Sequence, residues 1–206
     1  MWKIKDNYKK EIFRALSFAL VSLLVLSGGF LMLEPNLTGA ADDTDEVTVN
    51  LTVAATISLN SPSDVNMSPD ITGTGASTGS AVWAVTTNSS AGYKLEVEAS
   101  ASPAMTNGGD SFADYGEASE GTPETWSIAD SVSEFGFGAT GDHILAKFGA
   151  DKYMGFNSTT NVEVATESSE VSASETTVIF KAEVGSAKAQ PTGDYSATIT
   201  ATATTL

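Results

Sequence analysis

The sequence predicts an all-β protein: an antiparallel, Ig-like or jelly-roll-type β-sandwich preceded by an N-terminal hydrophobic export helix. Apolar and polar side chains alternate in several segments between residues 47 and 203, where helical periodicity is nearly absent. Turn-forming residues separate these segments, as is typical of two packed antiparallel sheets. The chain contains no cysteine, so an apolar core must stabilise the fold without disulfides.

Residues 1–41 have the pattern of an export signal. Five basic residues come first, and residues 15–33 then carry no formal charge. Small residues follow, which predicts signal cleavage after Ala40 or Ala41. This uncharged run is longer than most signal cores and as long as a short spanning helix, so a retained membrane anchor is the alternative. Either way, residues 42–206 are predicted to form a single extracellular domain that meets the membrane only through the N-terminal segment.

A prepilin-like cleavage pattern lies within the same segment. In this pattern cleavage would fall between Gly29 and Phe30, and Glu34 is the fifth residue after the cleavage point. In prepilins the long apolar helix follows the cut, whereas here the apolar run precedes it and Pro35 comes directly after Glu34. We therefore interpret this match as chance.

The charge of the chain excludes some partners. There are 26 acidic and 10 basic residues, for a net charge of −16, and half of the basic residues lie in the first fourteen positions. Such a surface repels nucleic acid phosphates and anionic lipid, so no nucleic acid partner is expected. The acidity suits solubility on a cell exterior, and attraction of Ca²⁺ is the alternative.

Alternation predicts the strands. Residues 47–59 carry apolar or small side chains at every odd position, which predicts one long strand or two strands joined at Ala54-Ala55. Strands around residues 80–88 and 93–99 are separated by a turn and predict a hairpin. Further strands are expected at 125–128, 134–138, 178–184 and 195–203, a strand or helical turn at 144–148, and a long surface loop at 100–125.

Three stretches resemble a known group of proteins. Trp83 to Leu95, Glu124-Thr-Trp126 and the closing Gln190 to Thr200 resemble prokaryotic exported β-sandwich surface proteins, including WxL-like proteins. The ending Gly-x-Tyr-x-x-Thr-Ile-Thr is also similar to spore-coat-U-type and pilin-like secreted domains. The resemblance implies a β-sandwich on the cell surface and transfers no functional residue to this chain. The chain has no Trp-x-Leu pair near the C-terminus. The resemblance therefore does not imply peptidoglycan binding of the WxL kind.

Catalytic patterns are weak. Gly75, Ser77 and Gly79 match the nucleophile elbow of serine hydrolases, but that motif needs a preceding strand and a following helix. His143 is the only histidine, so any triad would have to use it. We interpret these residues as turn residues, and we predict no catalytic and no cofactor-binding residues.

Two kinds of ligand remain open. Asp110, Asp114 and Glu117 supply hard oxygen atoms on flexible backbone and are weak calcium candidates, without the spacing of an EF-hand. No other metal site or cofactor is predicted. Trp83, Trp126 and Tyr153 are candidate stacking platforms for a sugar, although each of them is also expected in a core.

The predicted function is that of a non-enzymatic structural or adhesive protein of the cell surface, with an unidentified cell-envelope partner. The first alternative is a pilin-like subunit of a homopolymer, in which Val47–Leu59 completes the sheet of a neighbouring copy. A carbohydrate-binding module or an exported hydrolase is the second alternative.

Overall fold

The structure is a computed structural model that describes residues 43–156 and 160–206. These residues form an all-β fold of mostly antiparallel strands, and no helix occurs within them. The all-β prediction is therefore confirmed. The predicted export helix and the cleavage residues Ala40 and Ala41 lie outside the described residues.

The chain divides into two units, residues 1–51 and residues 52–206. The described part of the first unit, residues 43–51, contains no strand. The strands of the second unit, in chain order, are β1 (Ile57–Leu59), β2 (Gly75–Thr87), β3 (Tyr93–Ala99), β4 (Thr106–Asn107), β5 (Asp110–Ser111), β6 (Ala113–Asp114), β7 (Glu124–Thr125), β8 (Ser133–Gly141), β9 (Lys152–Tyr153), β10 (Val162–Glu167), β11 (Val171–Val184) and β12 (Ile199–Thr205).

These strands form two main sheets. The first sheet has the order β1-β2-β11-β8-β6, and the second has the order β10-β3-β12. All their pairings are antiparallel except that of β6 with β8. Two small sheets pair β4 with β5 and β7 with β9.

Both main sheets contribute to one apolar core. In β3 the odd residues Tyr93, Leu95 and Val97 are fully buried, while the even residues remain partly exposed. This period-two pattern is the one expected of a strand with one dry face. At the centre, the ring of Phe137 lies 4.3 Å from that of Phe156 and 5.9 Å from that of Phe148, measured between centroids.

The predicted hairpin of β2 and β3 is wrong. β2 pairs with β1 and β11, whereas β3 pairs with β10 and β12, so residues 88–92 carry the chain from one sheet to the other. Gly92 bends this crossover: its N–H donates to the carbonyl of Ser89 at 3.0 Å, and its φ is +84°. A turn sequence between two alternating segments is compatible with either connection, because both bury the same faces.

We expect Gly92→Ala to destabilise the fold by about 1–3 kcal/mol, because alanine is strained at this φ. The new Cβ would also overlap the carbonyl oxygen of Glu167. Gly108→Ala is a matched control, since Gly108 also has a positive φ (+61°) but has no atom within 4 Å of the added Cβ. Thermal unfolding of both variants measures the difference, and equal losses of stability would contradict the role assigned to the contact with Glu167.

Residues 100–125, predicted as a surface loop, contain the short strands β4, β5, β6 and β7. They also bury Met105, Phe112 and Tyr115. The carboxylate of Asp114 holds the early part of this stretch by accepting from the Ser102 hydroxyl and the Ala104 N–H. The segment is therefore part of the packed structure.

Candidate functional site

Four large apolar side chains are exposed in one short segment. Val47, Val49, Leu51 and Val53 are 84%, 86%, 88% and 76% exposed. They alternate with polar residues, and residues 47–55 contain no charge. The structure assigns no strand to this stretch and keeps only Ile57–Leu59 of the long strand predicted over residues 47–59. The segment thus has the composition of a half-buried strand, and no strand among residues 43–156 and 160–206 pairs with it.

Asn88 holds the chain where this segment ends. The Thr56 N–H donates to Oδ1 of Asn88 at 2.7 Å, and Nδ2 of Asn88 donates to the carbonyl of Ala54 at 3.1 Å. The hydroxyl of Thr87 also donates to the carbonyl of Thr56 at 2.7 Å. Asn88 thereby bonds the backbone on both sides of Ala55, as a neighbouring strand would.

The two edges of the second sheet differ. At the β10 edge, the Leu145 N–H donates to the carbonyl of Val164 and the Thr166 N–H donates to that of His143, at 2.9 and 3.0 Å. Residues 143–145 therefore cover that edge. At the other edge, β12 pairs with β3 on one side, and no described strand pairs with it on the other.

β12 lacks two usual protections of a sheet edge. Residues 195–206 contain no charged residue and no proline, which are the residues that natural edge strands use to prevent pairing with other chains. The inward-facing Ile199, Ala201 and Ala203 pack on the core yet stay partly exposed. β12 is therefore an open edge beside an incompletely covered part of the core.

Two of the three calcium candidates hold other segments of the chain by hydrogen bonds. Both carboxylate oxygens of Asp114 accept hydrogen bonds from Ser102 and Ala104, and Glu117 accepts from the Gly155 N–H at 3.0 Å. Asp110 is exposed in β5. Within the described ranges, no three potential ligands form a group suited to a metal ion. Calcium binding at these carboxyls stays a prediction.

The residues of the hydrolase pattern lie in ordinary structural positions. Ser77 is buried within β2, which pairs along its length with β11, so it does not stand at a strand-to-helix turn. His143 is exposed with a φ of +54°, and its Nδ1 lies 2.6 Å from Oε2 of Glu167. The Ser168 N–H, together with His143, lowers the pKa of Glu167. The turn interpretation is right for His143 and wrong for Ser77, which lies in a strand.

The sugar-platform candidates are packed against other groups. Trp83 is 7% exposed and lies in the core. Trp126 stacks on Tyr115 with centroids 4.3 Å apart, and Nζ of Lys181 lies 5.0 Å from its centroid. The Trp126 ring meets Tyr153 edge-on, and its Nε1 donates to Glu183 at 2.7 Å.

Tyr115, Trp126 and Tyr153 form an aromatic cluster that was not predicted from the sequence. It covers the outer face of β8, where an added Cβ on Gly136 or Gly138 would come within 2.6 Å of a backbone carbonyl. The signal was the alternation of these glycines with phenylalanines in Phe135-Gly-Phe-Gly138, since glycine in a strand marks close approach of another segment.

Burial raises the pKa of Glu134, although a hydrogen bond from the Gly116 backbone opposes the shift. A carboxyl with a raised folded pKa binds its proton more tightly in the folded state. Its ionisation therefore lowers the free energy of unfolding as the pH rises above the unfolded pKa of about 4.3. Below that pH the carboxyl is protonated in both states, so this loss of stability is absent.

We therefore expect Glu134→Gln to raise the stability at pH 7 and to leave it nearly unchanged at pH 3. Denaturant unfolding at both pH values measures the effect. Glu170→Gln, at an exposed position, controls for the change in net charge. A Glu134→Gln variant that is less stable than the control at pH 7 would show that the ionised carboxylate stabilises the fold.

Comparison with known proteins adds no family: no family model, no curated protein and no solved structure matches this chain. Among the described residues, no helix has the length and apolar character needed to cross a membrane.

Proposed function

We propose that this chain is a non-enzymatic structural protein of the cell exterior whose copies assemble with one another by strand addition. The observation that carries this proposal is the exposed alternating stripe Val47, Val49, Leu51 and Val53. An uncharged, exposed, strand-forming segment that pairs with no described strand is suited to complete the sheet of another molecule. Its exposure makes little physical sense for a chain that stays monomeric in water.

Four further observations support placement on the cell exterior. The N-terminal pattern of residues 1–41 is that of an export signal or a membrane anchor, and the fold uses no cysteine. The net charge of −16 suits solubility outside the cell. The resemblance of residues 83–95 and 190–200 to exported surface proteins points the same way.

The fold is an antiparallel sandwich of the Ig-like or jelly-roll type, in which one core lies between two sheets. Tyr195 supports this class: its hydroxyl donates to the carbonyl of Pro191 at 2.9 Å, and its ring meets that of Phe112 edge-on. A tyrosine bonded to the backbone a few residues upstream is a feature of Ig-type sandwich corners.

Electron microscopy and sedimentation of the full chain recovered from cells test the assembly. Protease applied to intact cells tests the location. We expect elongated assemblies or oligomers that persist in mild detergent, and digestion of the protein on intact cells. A strict monomer at high concentration, or protection from protease until the cells are broken, would contradict the proposal.

A further inference from the structure

We infer that the strand acceptor in this assembly is the open edge of β12 in a second copy of the chain. Residues 47–53 of one copy would then form the fourth strand of its neighbour's β10-β3-β12 sheet. This inference rests on the proposed function. It adds which strand accepts the segment, which face of the segment meets the core, and which backbone groups of β12 form the new hydrogen bonds.

The first support is the pattern of backbone hydrogen bonds. The residues that flank β12 bond the neighbouring strand region from even positions: the Thr198 carbonyl accepts from the Ser100 N–H, and the Leu206 N–H donates to the Gly92 carbonyl. Bonded and non-bonded pairs alternate in an antiparallel ladder. The N–H and C=O groups of the odd residues Ile199, Ala201 and Ala203 therefore point to the open edge.

The second support is a match of composition and length. Residues 47–53 and β12 each span seven residues, and neither contains a charge, although the chain as a whole is strongly acidic. Small side chains at Ala201 and Ala203 leave room for the large apolar side chains of the incoming segment. When these point to the core side, they cover the partly exposed inner residues of β12.

The third support is the course of the chain at the C-terminal end of the segment. β1 begins opposite Thr87, and β12 ends opposite Tyr93. The start of β1 and the end of β12 therefore both lie beside the crossover at residues 88–92. The contacts of Asn88 hold the chain at Ala54 and Thr56. A hairpin that folds the segment back along its own chain needs a turn, and Val53-Ala54-Ala55 offers no turn-forming residue.

Other edges fit less well. Residues 143–145 cover the β10 edge, and β6 has only two residues. β1 has three residues and already lies beside β12. β12 therefore offers the longest open edge in the part of the chain that the structure describes.

Cysteine cross-linking tests the inference, because the natural chain has no cysteine to interfere. One full-length preparation carries Leu51→Cys, and a second, with a different tag, carries Ile199→Cys, Ala201→Cys or Ala203→Cys. Asn50→Cys replaces Leu51→Cys as the control on the opposite face. We expect disulfide-linked mixed dimers for at least one Leu51→Cys pair and for none of the Asn50→Cys pairs.

Ala201→Pro is the second variant. It removes an N–H that points to the open edge, a position at which strands tolerate proline. We expect assembly to weaken by at least about tenfold, since a bond is lost and the ring obstructs the edge. Ala201→Ser, which keeps the N–H, should assemble normally, and thermal unfolding should be similar for both.

The outcomes separate the two proposals. Assembly without Leu51→Cys cross-links, or normal assembly of a folded Ala201→Pro variant, would overturn β12 as the acceptor while assembly itself stands. Equal cross-linking from Asn50→Cys would also overturn it. A natural chain that never assembles would overturn the proposed function and this inference with it.

Discussion

The double substitution Val49→Ser/Leu51→Ser is expected to abolish assembly and to leave the folded domain intact. Each of these side chains is worth about 1.5–3 kcal/mol when it moves from water into an apolar site. Losing both costs the assembly about 3–6 kcal/mol, which raises the dissociation constant by about 100-fold to 10,000-fold. Because both side chains are more than 80% exposed in the single chain, the monomer loses little.

Thr48→Ser/Asn50→Ser is the matched control on the other face of the same segment. It also carries two substitutions, at neighbouring positions, and leaves the exposed apolar side chains unchanged. Sedimentation velocity over a range of protein concentrations compares the two variants with the natural chain. Equal loss of assembly in both variants would show that the alternating face is unimportant, and no loss in either would remove the segment from the interface.

The second large effect is expected from Phe137→Ala. Phe137 is 0% exposed and packs on Phe148 and Phe156, so the substitution leaves a cavity in the centre of the core. The expected loss is about 3–5 kcal/mol, a large part of the total stability of an ordinary domain. With no disulfide in the chain, nothing covalent offsets it.

Thermal or denaturant unfolding measures this loss. Val82→Ala is the control, because Val82 lies in β2 with 39% of its surface exposed, and we expect it to cost less than about 1 kcal/mol. A Phe137→Ala variant no less stable than Val82→Ala would contradict the central place of the phenylalanine cluster in the core.

Strands with regular alternation could be predicted from the sequence, and irregular strands could not. Residues 93–99 alternate strictly and form β3 as expected. β10 was missed because its register shifts between Glu163 and Ala165, which buries Val164 and Ala165 in succession and breaks the period of two. Phe112 and Tyr115 stand alone among polar and glycine residues, so no local pattern predicted their burial.

Of the two parts of the candidate site, the sequence predicted the exposed segment but not the open edge of β12. The alternating, uncharged segment at residues 47–59 was visible in the sequence and led to the hypothesis of strand donation. The open edge was not, because which strand lies at an edge depends on pairing between distant segments. The same limit explains the wrong hairpin, since the sequence indicates two strands and a turn but not the sheet that each strand joins.

Amide hydrogen exchange at residues 47–53, compared between dispersed and assembled protein, tests the central claim most directly. Strand addition gives this segment the backbone hydrogen bonds of a sheet, whereas among the described residues it belongs to no strand. We expect its amides to exchange at the rate of an open chain when dispersed and at least about 100-fold more slowly when assembled. Equally fast exchange in both states would contradict assembly through this segment.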